Sequence, residues 1–348
     1  MTSREFAKLI GVSQSTVSRA LNNSPLVPEE KRKLILAKAR EVGFELNSHA
    51  KSLRTQRTGT IGILFPKHFV SMSANMMLAH LYDCIQNEMH HYNYDIMVVY
   101  YESTSEDFSS FERIIRTRKV DGFLVLRMEL SHAEMCLIEE YQVPCVFLMN
   151  AGSKIRPQLN YLFSDSEYGG YIAGRYFGGF PDYHKLFITV HEELEDAERR
   201  LEGYRRGLES CGCPLEESDI LFCRLSIEDA YNCILQNRDR LSRQKTAIFA
   251  YSDTLGVGII NACRELGLCI PEQVQIISMD DIPLAQQLHP RLSTLHINVE
   301  EMVPRSCRLL MEGIDRKEGL VQEWIRPRLI LRDTTVNRED HFLLKELA

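Results

Sequence analysis

GVSQSTVSRALN, residues 11–22, decides how this 348-residue chain is read. Gly11 breaks the segment before it and suits the tight turn between two crossed helices. Ser13 is placed to cap the helix that follows. Val12, Val17 and Leu21 fall on one side of that helix, leaving Gln14, Ser15, Ser18 and Arg19 on the other. Small polar side chains and one arginine on an open helix face can hydrogen-bond base edges in a DNA major groove. Working outward, Thr2-Ser3-Arg4-Glu5 is a capping-box pattern, and Phe6, Ala7, Leu9 and Ile10 give the first helix an apolar face. On the other side Pro28 opens a third, basic helix containing KRKLILAKAR, residues 31–40. Leu34, Ile35, Ala39 and Val42 are expected to close the small core, and Gly43 to end the helix.

Charge separates this head from the rest. Residues 1–60 hold eleven Lys/Arg and five Asp/Glu, a sum of +6, so the remainder carries −7 − 6 = −13. A basic head on an acidic body suits one domain that meets phosphates and another that does not, although a solvated charged helix has the same composition. With 44% hydrophobic and 26% charged residues, the composition is that of a globular chain rather than a disordered or membrane-spanning one. No apolar run approaches a bilayer span and no charged-then-apolar signal opens the chain, so a cytoplasmic protein is expected. Ten irregularly spaced cysteines fit a reducing compartment.

The head resembles the helix-turn-helix of the LacI/GalR family of bacterial transcription regulators. Ala7, Gly11-Val12-Ser13, Thr16-Val17-Ser18-Arg19 and Asn22 carry the resemblance, which continues into Asn47-Ser48-His49-Ala50-Lys51-Ser52-Leu53. The latter resembles the family's hinge helix, which folds on the operator and wedges a leucine into the minor groove, an unstacking cost offset by contacts to bent DNA. The resemblance implies that Gln14, Ser15 and Arg19 read bases, with Ser13, Thr16, Ser18, Asn22 and Asn47 in the same interface. It implies further that Leu53 is the wedge, that Ala50 admits a twin hinge helix, and that Lys51 and Arg54 meet phosphate or the groove edge. Leu46 stands where the family has proline.

Beyond Thr60, short apolar runs alternate with helical segments. Strands are expected at 61–65, 96–100, 122–126 and 145–148, then at 186–190, 220–222, 247–250 and 274–279. Helices between them include 76–90, 166–177, 200–211 and 255–266. Such alternation argues for parallel sheets covered on both faces, and a break near 150–160 suggests two lobes. The body resembles the type I periplasmic sugar-binding fold that the same family uses as its sensor. That fold implies three crossings between lobes, expected near 150–160, 284–294 and 318–324, with ligand at the C-terminal ends of the strands.

Candidate ligand groups follow. Asp280-Asp281 ends one strand and Asp253 another, and Arg200 opens a helix after a third. A fixed carboxylate and a guanidinium fork suit vicinal hydroxyls. The resemblance carries effector contact onto Arg200 and Asp280. Ser252 stands where sugar-responsive members have asparagine. Asp253 reads equally as a helix cap, Asp281 as a holder of local backbone, and Arg199 competes with Arg200 for the inward place. Arg127 and Arg224 also follow strands. If they face the cleft they would make it cationic and suit an acidic or phosphorylated ligand, whereas surface or inter-lobe placement is the plainer reading. Phe69 and Met72 could wall the cleft or simply pack their loop.

The expected architecture is therefore an α/β chain with a helix-turn-helix domain at 1–45, a hinge helix and linker at 46–58, and a two-lobed effector-binding and dimerisation domain of doubly wound parallel sheets at 59–336. The N-lobe takes about 59–155 and 292–320, the C-lobe about 156–291 and 321–336, and 337–348 form a tail. Gly256-Val257-Gly258 and Gly169-Gly170…Gly174 form no phosphate loop, and neither a zinc-helix pair nor a GxSxG sequence is found. No catalytic residue, metal or cofactor is expected. The implied partners are pseudo-palindromic operator DNA, a sugar-like effector and a second copy of the chain, with no membrane. A solute-binding protein, or a nucleotide-cofactor enzyme on the same body fold, is the competing reading. A regulator responding to an acidic or phosphorylated metabolite or to a nucleobase is the nearer alternative.

Overall fold

A computed structural model describes residues 1–21, 25–44, 57–66, 76–101, 105–126, 130–149, 159–191, 194–317 and 319–336. The head is three helices: α1 (Ser3–Leu9), α2 (Gln14–Leu21) and α3 (Glu29–Glu41). The capping box closes as expected. The Glu5 amide donates to the Thr2 hydroxyl at 3.3 Å, and the Thr2 amide donates to the Glu5 carboxylate at 2.7 Å. Gly11 takes φ +67, a left-handed turn that favours glycine. Phe6, Val17, Ala20 and Ile35 are buried, and Phe6 stacks on Phe44 with ring centroids 4.3 Å apart. Two expected core residues are not in this core. Leu34 is 71% and Leu9 56% exposed, and Val27 and Phe44 are buried in the head's core. In a domain this small one face of α3 suffices, and that face passes through Ile35 and Ala39.

The body is two six-stranded sheets. The first contains β1 (Thr60–Pro66), β2 (Asp95–Tyr101), β3 (Phe123–Leu126), β4 (Cys145–Met149), β5 (Asn160–Ser164) and β11 (Gln322–Ile325), in the order β2-β1-β3-β4-β5-β11 and parallel throughout. The second contains β6 (His184–Val190), β7 (Ile220–Cys223), β8 (Thr246–Ala250), β9 (Val274–Asp280), β10 (Ser293–His296) and β12 (Arg328–Ile330). Its order is β7-β6-β8-β9-β10-β12, with only β12 antiparallel. β3, β4, β8 and β9 are buried along their whole length, as central parallel strands covered on both faces must be.

Helices α4 (Met76–His91), α5 (Ser105–Arg116) and α6 (His132–Tyr141) connect the first sheet. Helices α7 (Ser166–Gly178), α8 (Glu195–Glu209), α9 (Ile227–Gln236), α10 (Arg238–Arg243) and α11 (Asp253–Glu265) serve the second. A last helix, α12 (Val299–Ile314), returns to pack on α4, β3 and β4.

Strand pairing moves all three crossings later than expected. β5 pairs with β4 and β11 with β5, so residues 160–164 and 322–325 belong to the first lobe, and β10 pairs with β9 in the second. The crossings therefore fall after Ser164, after His296 and after Ile325 instead of near 150–160, 284–294 and 318–324. Short strands at a lobe boundary show their length in sequence but not the sheet they will join. That is decided by hydrogen bonds to residues as distant as Gln322 and Tyr161.

The glycines of α7 and α8 serve packing. A Cβ on Gly170 would stand 2.8 Å from the Tyr204 amide nitrogen, and one on Gly207 2.8 Å from the Arg175 amide nitrogen. The two helices thus approach backbone to backbone, which fixes α8 and everything it carries against the start of α7.

Candidate nucleic-acid interface and ligand cleft

On α2, Val17 and Ala20 are fully buried while Gln14, Ser15 and Arg19 are exposed and Thr16 and Ser18 half-buried. Ser13 caps the helix: its Oγ accepts from the Thr16 amide at 3.1 Å and bonds the Thr16 and Ser15 hydroxyls at 2.7 and 2.8 Å. The helix therefore presents two long polar side chains, Gln14 and Arg19, with hydroxyl groups around them. Asn22, Asn47, Ala50, Lys51 and Leu53 lie outside the described residues, as do Leu46, Arg54 and the tail.

The second site lies where the strand ends of the two lobes meet. A narrow cleft is lined by Met149 and Ser164 from the ends of β4 and β5, and by Met279 and Asp280 from the end of β9. Ser166, Asp196, Arg200 and Ile297 complete it. The helix carrying the arginine begins at Glu195, five residues before the expected start, so Asp196 and Arg200 sit one turn apart on the same face. That late expected start hid Asp196, which the i, i+4 spacing before Arg200 would otherwise have suggested.

Arg200 is only 3% exposed. Its guanidinium lies 4.4 Å over the Tyr251 ring, donates to the Tyr251 carbonyl oxygen, reaches Ser166 Oγ at 3.3 Å, and stands 3.7 Å from the Asp196 carboxylate. The Tyr251 hydroxyl donates to Asp196 at 3.0 Å. A buried guanidinium needs such company, because an unpaired buried charge is strongly unfavourable. Among the described residues its Nε, and the nearby Ser164 hydroxyl, are buried with no hydrogen-bond partner. Arg199 points elsewhere: it stacks 4.2 Å over Trp324 and stands 3.5 Å from Glu167, so Arg200 is the inward one of the pair.

Asp280 and Asp281 have φ +131 and +61, and Met149 at the opposite wall +75. Non-glycine residues persist there only where their surroundings over-determine them. At the Asp280-Asp281 turn two carboxylates do so. Asp253 is fully buried and accepts from Ser278 Oγ at 2.5 Å, Thr294 Oγ1 at 2.6 Å and the Ile282 amide at 2.8 Å. Burial pushes its pKa up, to about 6, against the pull of those three donors. Asp281 accepts from Arg332 at 2.6 Å and faces His296 Nδ1 at 3.0 Å. Burial raises the Asp281 carboxyl, but hydrogen bonds from His296 and Arg332 outweigh it and hold the group below the usual carboxylate range.

The expected ligand residues thus separate. Arg200 and Asp280 share the cavity lining. Asp253 instead clamps the loop after β9, because its acceptor positions are taken from within. Ser252, also expected at the ligand, caps α11 through the Leu255 amide at 3.4 Å, the role offered for its neighbour. Arg224 is exposed after the edge strand β7 and is not in the cavity lining. Phe69, Met72 and Arg127 lie outside the described residues.

A DNA-reading head joined to a two-lobed ligand cleft defines a regulator with its own sensor. Residues 2–47 match the family model of bacterial regulatory proteins, lacI family, and residues 179–335 that of the periplasmic binding protein-like domain. The HTH-type transcriptional repressor PurR of Vibrio vulnificus (strain CMCP6) is 26% identical over 338 residues, covering 96% of this chain and 98% of the relative. Among solved structures, a LacI family regulator from Silicibacter pomeroyi superposes with a TM-score of 0.73 at 20% identity, covering 96% of this chain and 99% of that one. The transcriptional regulator CelR–cellobiose complex does so with a TM-score of 0.70 at 21% identity and the same coverage. The chain belongs to the LacI family of bacterial regulatory proteins. It is a ligand-responsive, DNA-binding transcription regulator rather than an enzyme. Among the described residues no helix is long and apolar enough to cross a membrane.

Proposed function

We propose that the protein is a repressor that binds a pseudo-palindromic operator as a homodimer and loses or gains that affinity when a small neutral polyol, such as a sugar, enters the cleft. Gln14, Ser15 and Arg19 read bases, while Ser13, Thr16, Ser18 and Asn22 support the contact. Asn47, Ala50, Lys51 and Leu53 act in the hinge, with Leu53 as the wedge. Helix-turn-helix readers meet half-sites about 34–36 Å apart, a spacing that two heads can span and one cannot. Effector and operator affinities are then reciprocally coupled.

The observation that supports the ligand class is the charge of the cleft wall among the described residues: one guanidinium, Arg200, beside two carboxylates, Asp196 and Asp280. Two acceptor groups and a donor fork match hydroxyls, which both donate and accept, whereas a phosphate would meet two like charges. Arg224 does not offset this, being outside the lining. Thermal shift against neutral sugars, sugar acids and sugar phosphates tests it, since a ligand of the native state raises stability by mass action. A neutral sugar is expected to raise the melting temperature. Stabilisation by phosphorylated compounds alone would sink the reading.

The relatives named PurR favour a second reading, in which the ligand is a nucleobase whose ring edge meets Asp280 and Arg200. The same assay with a nucleobase panel separates the two.

A further inference from the structure

The crossing between β10 and α12 is bracketed by one histidine. His296 ends β10 in the second lobe, Ile297 lines the cavity, Asn298 turns with φ +54, and Val299 begins the helix that packs on the first lobe. His296 Nδ1 stands 3.0 Å from Asp281 Oδ2 and its Nε2 3.1 Å from Glu300 Oε2. The first partner belongs to the strained turn that aims Asp280. The second is in the opening turn of α12.

We propose that His296 is a positioning residue that ties the ligand-facing end of β9 to α12 across the lobe crossing, and that the tie is complete only when the imidazole carries both protons. Both partners are carboxylates, which accept and do not donate, so each ring nitrogen must supply an N–H. A neutral imidazole has one. Deprotonation therefore costs one of the two bonds whichever tautomer results.

The two limbs are unequal. Asp281 and His296 side chains are 8% and 13% exposed, while Glu300 is 66% exposed and screened by solvent. The neutral ring keeps its proton toward Asp281 and releases Glu300, opening the bracket around Ile297 and Asn298. The charged groups facing the ring act in both directions. Asp281 from the turn after β9 and Glu300 from α12 favour the cation, and Arg328, its register partner on β12, opposes it, while Arg332 beyond β12 pairs with Asp281. The hydrogen bond to Asp281 is the largest influence, and the balance raises the His296 pKa above the usual histidine value. The bracket is therefore intact at low pH and is lost as pH rises through that raised value. Asn298 laces the third crossing to the same place, its amide donating to the Arg326 carbonyl at 2.8 Å and accepting from Arg328 Nε at 3.1 Å. A change at His296 is thus delivered at the point where two of the three inter-lobe strands run together.

The test needs no ligand. Imidazole resonances of the full-length protein are titrated by NMR, and amide exchange of residues 297–302, corrected for intrinsic rates, is measured at about pH 6 and about pH 9, either side of the histidine range. The wild type is expected to show His296 titrating above the ordinary histidine value of 6.5 and a severalfold gain in exchange at the higher pH. His296→Gln and Glu300→Gln are expected to lack that gain, and Glu300→Gln also to lower the His296 pKa. Glu300 is surface-exposed, so the second variant reports even where the first folds poorly. The same gain in all three proteins, no gain in the wild type, or a His296 titrating at or below the ordinary histidine value would overturn the proposal and leave the ligand reading untouched.

Discussion

The Arg200 guanidinium lies over the Tyr251 ring at 4.4 Å while that same tyrosine's hydroxyl donates to Asp196 at 3.0 Å. One aromatic side chain thus orients both the cation and one carboxylate of the cleft. Because the ring supports a planar fork, lysine is a poor substitute. Arg200→Lys is expected to weaken binding of whichever compound raises the melting temperature by about 10- to 100-fold, the range of one or two charge-assisted hydrogen bonds. Calorimetry reads this directly, and unchanged affinity would remove Arg200 from the ligand contact.

The close approach of α7 and α8 makes a stability prediction. A Cβ at Gly207 would stand 2.8 Å from the Arg175 amide nitrogen, and backbone cannot swing aside as a side-chain tip can. Gly207→Ala is expected to cost about 1–3 kcal/mol, as over-packing does. Gly319, with nothing within 4 Å of its Cβ position, is the control. Gly319→Ala should stay within about 0.5 kcal/mol of the wild type in urea melts. Equal stability of the two variants would contradict the packing described.

Asp253 supplies a pH dependence. Its native pKa, about 6, is above the ordinary 3.8, so the native state binds its proton more tightly than the unfolded chain does. The resulting stability is fully present below the unfolded value and is lost as pH rises through about 6. Asp253→Asn cannot titrate and leaves one of three donors facing an amide NH₂. It should be less stable by about 1–3 kcal/mol. The wild type should gain on the variant as the pH is lowered from neutrality toward the unfolded value. A stability difference independent of pH would show that burial does not perturb this carboxylate.

At the head, Arg19→Ala is expected to lose about 1–3 kcal/mol on its preferred DNA sequence and to relax discrimination at one base position in each half-site. Non-specific binding should change far less and keep its steep salt dependence. Uniform weakening on every sequence would make Arg19 a phosphate contact instead.

Local patterns in the sequence were sufficient for the head's architecture. Thr2 with Glu5, the left-handed Gly11 and the buried Val17 each act within a few residues, and each formed as expected. The eight apolar strands were legible as short continuous apolar runs, although the edge strands β2 and β7 are only partly buried. β5, β10, β11 and β12 were not, since they carry polar residues such as Asn160, Thr294, Gln322 and Arg328 and owe their place to partners far along the chain. In the cleft, Arg200 and Asp280 could be placed from strand and helix ends. Whether Asp253 faced ligand or loop depended on Ser278, Ile282 and Thr294, which no spacing rule brings together. The role of His296 was invisible for the same reason: its partners become neighbours only once two lobes are built.

Ligand-controlled, sequence-specific DNA binding is tested most directly by selecting randomised duplexes with the full-length protein. Anisotropy titration of the winning sequence then follows, with and without the compound that most raises the melting temperature. The expected result is one enriched pseudo-palindrome, bound with an affinity that falls steeply with salt and shifts by about 5- to 150-fold when the compound is added. No enriched sequence at any salt, or an enriched sequence whose affinity the compound leaves unchanged, would contradict it.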